Sequence, residues 1–142
     1  MAFNVLIVDD SSSMRAIIKK IIRVSGFNIG ECLEASDGRD ALNILRNQWV
    51  DLVITDINMP NMNGLELISE IKKDKLLNTI PTVIVTTEGS EKIVQECMKM
   101  GASGYIKKPF QPEELKNVLN TIIGEERDGN RDNDEVFEEG DF

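Results

Sequence analysis

The feature that most constrains this chain is an alternation, repeated five times, of a short apolar run with a longer stretch whose apolar residues recur at helical spacing. The runs are Phe3 to Val8, about Asn28 to Ala35, a segment through Leu52, Val53 and Ile54 that ends at Asp56, Pro81 to Thr86, and Ala102 to Ile106. Short and rich in β-branched residues, they suit strands covered on both faces of a parallel sheet. Between them, Met14, Ile17, Ile18, Ile21 and Ile22 make the inward stripe of a helix that Gly26 closes. Ala41, Leu42 and Leu45 mark a second helix, and Leu65, Ile68 and Ile71 a third. Ile93, Val94, Cys97 and Met98 face inward on a fourth, from Ser90 to Met100; Leu115, Val118, Leu119 and Ile122 follow Pro112 on a fifth. Parallel strands need crossovers, and crossovers are right-handed, so the expected fold is α/β in three layers, α/β/α, around a five-stranded parallel sheet. Alternation alone leaves the strand order open.

At 142 residues the chain has the length of one domain, and 41% hydrophobic content supplies its core. Cys32 and Cys97 are far apart with no CxxC spacing, and the chain has no histidine, so both read as reduced, buried thiols. The first residues carry charge too early for a signal peptide, and no apolar run is long enough to span a membrane, which points to the cytoplasm. Of the net charge of −9, residues 124–142 hold −7, nine acids against Arg127 and Arg131. A nearly balanced body with an acidic tail disfavours nucleic acid and anionic membranes as partners. The domain is expected over residues 1–123, and 124–142 as a disordered tail, too poor in apolar residues to offset ordering entropy. Val136, Phe137 and Phe142 are apolar points in that acidic field; the plain reading is a solubilising tail, the sharper one a docking segment.

The chemistry gathers where strands end. Asp56 closes the third run, and Met59 to Gly64 supplies turn residues before the next helix. Strands of a parallel sheet end on one edge, so Asp9 and Asp10, after the first strand, share a rim with Asp56. Three carboxylates repel one another unless a cation sits among them. Oxygen donors without histidine or thiolate suit a hard ion, Mg²⁺ above all. Thr86, ending the fourth strand, and Lys108, beyond the fifth, reach the same rim. A cation, a hydroxyl and an ammonium around one carboxylate are what phosphoryl transfer onto that carboxylate needs.

These residues resemble the receiver domain of bacterial response regulators, of the single-domain chemotaxis type. The resemblance covers Ala2 to Ile123 and rests on Asp9-Asp10, D-I-N-M-P-x-M-N-G from Asp56 to Gly64, V-T-T-E from Val85 to Glu88, and G-A-S-G-Y-I-x-K-P-F from Gly101 to Phe110. It implies a flavodoxin-like strand order, 2-1-3-4-5. It also implies that Asp56 accepts a phosphoryl group from the phosphohistidine of a sensor kinase. Asp10, Asp56 and the Asn58 carbonyl would ligate Mg²⁺, Asp9 acting through water; Lys108, before a cis proline, would pair with the phosphoryl oxygens. Thr86 and Tyr105 would form the switch, Tyr105 swinging inward to change the face of the fourth helix, fifth strand and fifth helix; a static aromatic with its hydroxyl in water is the alternative. Asn58 and Glu88 would tune phosphoryl lifetime toward fast self-dephosphorylation. The expected protein is a cytoplasmic monomer, a signalling protein that catalyses only its own phosphorylation and dephosphorylation. Its partners would be a histidine kinase, a flagellar motor switch protein and a phosphatase.

Other readings are weaker. A phosphatase of the haloacid-dehalogenase type needs a second Asp where Asn58 stands, and a flavin carrier would find its phosphate repelled by Asp9 and Asp10. A phosphorelay intermediate, another stand-alone regulator and a receiver-like interaction module without phosphorylation remain open.

Overall fold

The computed structural model describes residues 2–126, and of residues 124–126 the backbone alone. The five units follow in order as β1 (Phe3–Val8), α1 (Ser12–Val24), β2 (Ile29–Ala35), α2 (Gly38–Asn47), β3 (Leu52–Thr55), α3 (Gly64–Lys73), β4 (Thr82–Thr86), α4 (Glu91–Lys99), β5 (Gly104–Lys107) and α5 (Pro112–Glu126). All pairings are parallel, in the order β2-β1-β3-β4-β5. The chain therefore starts mid-sheet, builds outward to β2, then crosses to β3 on the other side of β1. The adjacent ends of β1 and β3 feed connections that diverge, which opens a crevice at the rim.

Period-two alternation explains why the strands read as unbroken apolar runs. Val5, Ile7, Leu52, Ile54, Val83 and Val85 face α1 and α5, packing on Ile18, Ile22, Leu115 and Leu119. Leu6, Val8 and Val53 face α2 and α3 through Ala41, Leu42, Leu45, Leu67 and Ile71. Ile84 faces a third cluster with Ile68, Cys97 and Ala102. Ser11, Asp37, Asn63 and Ser90 cap α1 to α4 at their starts, and Asn63 with Glu66 closes a capping box.

Several expectations need correction. Ile17 and Met98 are 49% and 46% exposed, because each lies about 100° around its helix from a buried neighbour, Ile18 or Cys97. Met100, at the end of α4, packs inward instead. Ala102 belongs to the turn around Gly101, whose φ is +106°: its N–H bonds the Cys97 carbonyl at 3.1 Å, so β5 starts two residues later. Cys32 is only half-buried, since β2 is an edge strand, whereas Cys97 is fully buried; both are free thiols. Helix α5 runs to Glu126, three residues past the expected domain limit. The expectation for the rest of the tail lies outside the described residues. No helix among these is long and apolar enough to cross a membrane.

Candidate functional site

Strand register builds the site. Val8 pairs with Thr55 as the last partners of β1 and β3, so Asp9 and Asp56 emerge side by side. The Asp56 N–H donates to the Val8 carbonyl at 3.0 Å, and the Asp9 N–H to the Ala35 carbonyl at 3.1 Å. Both side chains are buried while Asp10 is exposed, and carboxylate oxygens of all three lie within 4.8 Å of one another. Lys108 reaches this cluster from beyond β5: its Nζ donates to Asp9 Oδ2 at 2.9 Å and Asp56 Oδ2 at 3.1 Å. Burial pulls the Lys108 pKa down, but its hydrogen bonds and the two negative charges outweigh that and hold it above its ordinary value. The ammonium is thus a fixed charge at any physiological pH. Among the described residues one ammonium pairs with two of the three carboxylates, and this all-oxygen donor set could hold a hard divalent cation.

The remaining Asp56 oxygen, Oδ1, accepts the Ile57 N–H at 2.6 Å, which fixes the carboxylate in the loop after β3. Gly64 lets that loop fold back tightly. Its N–H donates to the Ile57 carbonyl at 2.8 Å, and a Cβ there would run into the Asp56 carbonyl. The Lys108–Pro109 peptide is cis.

Four expected residues form no hydrogen bond with the Asp56 side chain. Asn58 is exposed, and its Nδ2 donates to Glu88 Oε2 at 3.2 Å, so the loops after β3 and β4 meet above the rim. Thr86 is fully buried; its Oγ1 accepts the Glu88 N–H at 3.3 Å rather than bonding Asp56. Tyr105 packs against the cluster of Ile57, Ile68, Ile84 and Cys97. Its hydroxyl is buried and bonds no described residue, so the ring already points inward and the expectation of a hydroxyl in water does not hold. Burial first, then the Cys97 and Glu88 charges, raise the Tyr105 pKa.

Sequence reasoning missed the clamps behind the site. Arg15, which no spacing in the sequence ties to the rim, donates to the Asp9 carbonyl at 2.6 Å and to Glu34 at 2.9 Å. Asp37 caps α2 through one oxygen and with the other accepts Asn61 Nδ2 at 2.7 Å, while the Gly38 N–H donates to the Met62 carbonyl. Asn61, at φ +65°, has the one left-handed non-glycine backbone among the described residues. The hint available was the pairing of a cap-type Asp-Gly with an Asn in a turn, but nothing in the sequence tells that these two meet.

A switch-point crevice with three acids and one half-buried lysine is the receiver arrangement, and comparison with known proteins agrees. The response regulator receiver domain model matches residues 5–120, and the chain belongs to that family. It is similar to a chemotaxis protein CheY homolog of Campylobacter jejuni, 43% identical over 122 residues, which span 85% of this chain and 92% of that protein. Chemotaxis protein CheY-3 of Vibrio cholerae is 42% identical over 84% of this chain and 91% of its own length. Among solved structures, CheY4 of Vibrio cholerae superposes with a TM-score of 0.77 at 34% identity, over 86% of this chain and 99% of that one.

Proposed function

We propose that the chain is a phospho-accepting response regulator in which Asp56 takes a phosphoryl group from the phosphohistidine of a sensor kinase. The observation that carries this reading is the Lys108 ammonium bridging two buried carboxylates, Asp9 and Asp56, beside Asp10. An Asp56 oxygen attacks phosphorus as the P–N bond to the kinase imidazole breaks, and the imidazole leaves with the bonding pair and takes up a proton. Asp9, Asp10, Asp56 and the Asn58 carbonyl are the groups to hold Mg²⁺, which when bound would offset charge on the phosphoryl oxygens. Lys108, already within hydrogen-bonding distance of Asp56, pairs with a phosphoryl oxygen once Asp56 carries the acyl phosphate. The loop after β3, fixed by Gly64 and the Ile57 N–H, keeps the acceptor aimed at the crevice.

The phosphoryl group carries a charge of about −1.5 to −2 where the Asp56 carboxylate carried −1, so the rim becomes more negative and the charge moves outward from the strand end. Thr86 leaves the Glu88 N–H for a phosphoryl oxygen, and the rearranged β4–α4 loop alters the α4–β5–α5 face on which Tyr105 lies. Asn58 and Glu88, bonded to each other between the loops after β3 and β4, set how readily water attacks the acyl phosphate. Output is by protein contact in the cytoplasm as a monomer, in chemotaxis through a flagellar motor switch protein, with a phosphatase to end the signal; the names of the 43% and 42% identical relatives support that role. The test is phosphotransfer from a radiolabelled histidine kinase. Label should move to the wild-type chain and not to Asp56→Asn, and the phosphorylated chain should bind the motor switch protein more tightly. Retention of label on the kinase would overturn the reading.

A further inference from the structure

The sheet edge opposite the acceptor carries a second built surface. A groove of about 510 Å³ opens there, lined chiefly by Leu45, Trp49, Val50, Leu77, Ile80 and Pro81. Trp49 and Leu76, 76% and 88% exposed, stand at its mouth. The indole is not loose, because its Nε1 donates to Asp51 Oδ1 at 2.9 Å. Asp51 is further engaged by the Asn4 N–H, and Asp74, the nearby acid, by the Leu76 N–H. The cations on this edge are more numerous, although Lys73 is already paired with Glu70 at 3.0 Å. Helices α1 to α4 all finish here and carry Arg23, Arg46, Lys72, Lys73 and Lys99 in their last turns, and Lys75 adjoins Leu76. Helix α5 is the exception, with no basic residue in its last turn.

Helix α5 also ends on this edge: Ile122 lies against Gly104, the first residue of β5, where a Cβ would meet it at 3.9 Å. The chain beyond Glu126 therefore leaves from the edge that holds the groove, and it is acidic with three large apolar residues, Val136, Phe137 and Phe142. We propose that this groove receives the chain's own C-terminal segment, Val136, Phe137 and Phe142 entering it while the flanking acids meet Arg46, Lys72 and Lys75. Reach is ample. The nine residues from Arg127 to Glu135 extend up to about 30 Å, whereas β5 and β3 are two strand spacings, about 10 Å, apart. Tethering raises the local concentration of the segment to the order of millimolar, so weak intrinsic affinity is enough. The exposed apolar mouth gains what the segment's phenylalanines would otherwise leave in water. The contact is independent of the chemistry proposed at Asp56.

Trp49, the single tryptophan, is the reporter. In the full-length chain at low salt, the double variant Phe137→Ser/Phe142→Ser should raise acrylamide quenching of Trp49 about twofold and shift its emission to the red. Salt at 0.5 M should move the wild type part of the way, and dilution should change neither protein. Amide resonances of Gln48, Leu76, Leu77 and Thr79 should shift between wild type and variant. Equal quenching in the two proteins would overturn the proposal. So would a difference that vanishes on dilution, which assigns the groove to a second copy of the chain, or amide shifts confined to α4, β5 and α5.

Discussion

At the edge where the strands end, three carboxylates gather beside one ammonium; where the strands begin, a groove opens on the edge at which α1 to α4 finish in lysines and arginines. Both edges follow the same rule of helix polarity. In a parallel α/β fold every helix starts at the rim and finishes at the base, and the macrodipole favours acids at starts and cations at ends. The rim goes beyond that rule by burying Asp9 and Asp56, which places unlike and like charges in low dielectric and makes the cluster dependent on Lys108. At the base the charges are more exposed, as in the Lys73–Glu70 pair, and among the described residues the groove lining forms no ion pair. Rim substitutions should therefore change both stability and chemistry, and base substitutions neither.

The largest effect should come from Lys108→Met, which leaves two buried carboxylates without their cation. A loss of about 3 kcal/mol in a denaturant melt is expected, with part regained on adding Mg²⁺, because a ligand of the folded cluster stabilises it. An unchanged midpoint without Mg²⁺ would show that Lys108 is no counter-charge. Next is Gly64→Ala, whose Cβ runs into the Asp56 carbonyl: about 2–3 kcal/mol should be lost, and acceptor chemistry with it, since the loop that aims Asp56 must move. Ala in place of Asp37 removes the α2 cap and the Asn61 contact, for about 1–2 kcal/mol at neutral pH.

The Asp37 contribution also has a pH signature. The Asp40 N–H first, then Asn61, lower the Asp37 pKa. A carboxylate lowered in the folded state binds protons more readily when unfolded, so its stabilisation is present at neutral pH and fades below about pH 4. The gap between wild type and Asp37→Ala should therefore narrow between about pH 4 and pH 2. At the base, Leu76→Ser should stay within about 0.5 kcal/mol of wild type and alter only Trp49 quenching.

The sequence made the sheet and the rim readable because both depend on strong local patterns. Runs such as Leu6 to Val8 and Leu52 to Ile54 are apolar at every position only because both faces are covered, and chain direction then forces Asp9, Asp56 and Lys108 to one edge. Strand order came through family resemblance, since alternation does not encode which side of β1 receives β3. Helix faces were legible except at their margins: of the five residues in the α1 stripe, Ile18 and Ile22 are buried and Met14 and Ile21 pack against the core, while Ile17 turns outward. The clamps were hidden for another reason. Arg15 on the Asp9 carbonyl and Asp37 on Asn61 join a side chain to a loop whose position follows from the fold, and no spacing signals it.

The most direct test of the account is the intact mass of the chain after incubation with acetyl phosphate and Mg²⁺, with Asp56→Asn alongside. The expected result is one labile phosphoryl group on the wild type, absent with a chelator and absent from the variant. A wild type that stays unmodified in Mg²⁺, or an Asp56→Asn chain modified equally, would contradict Asp56 as the acceptor.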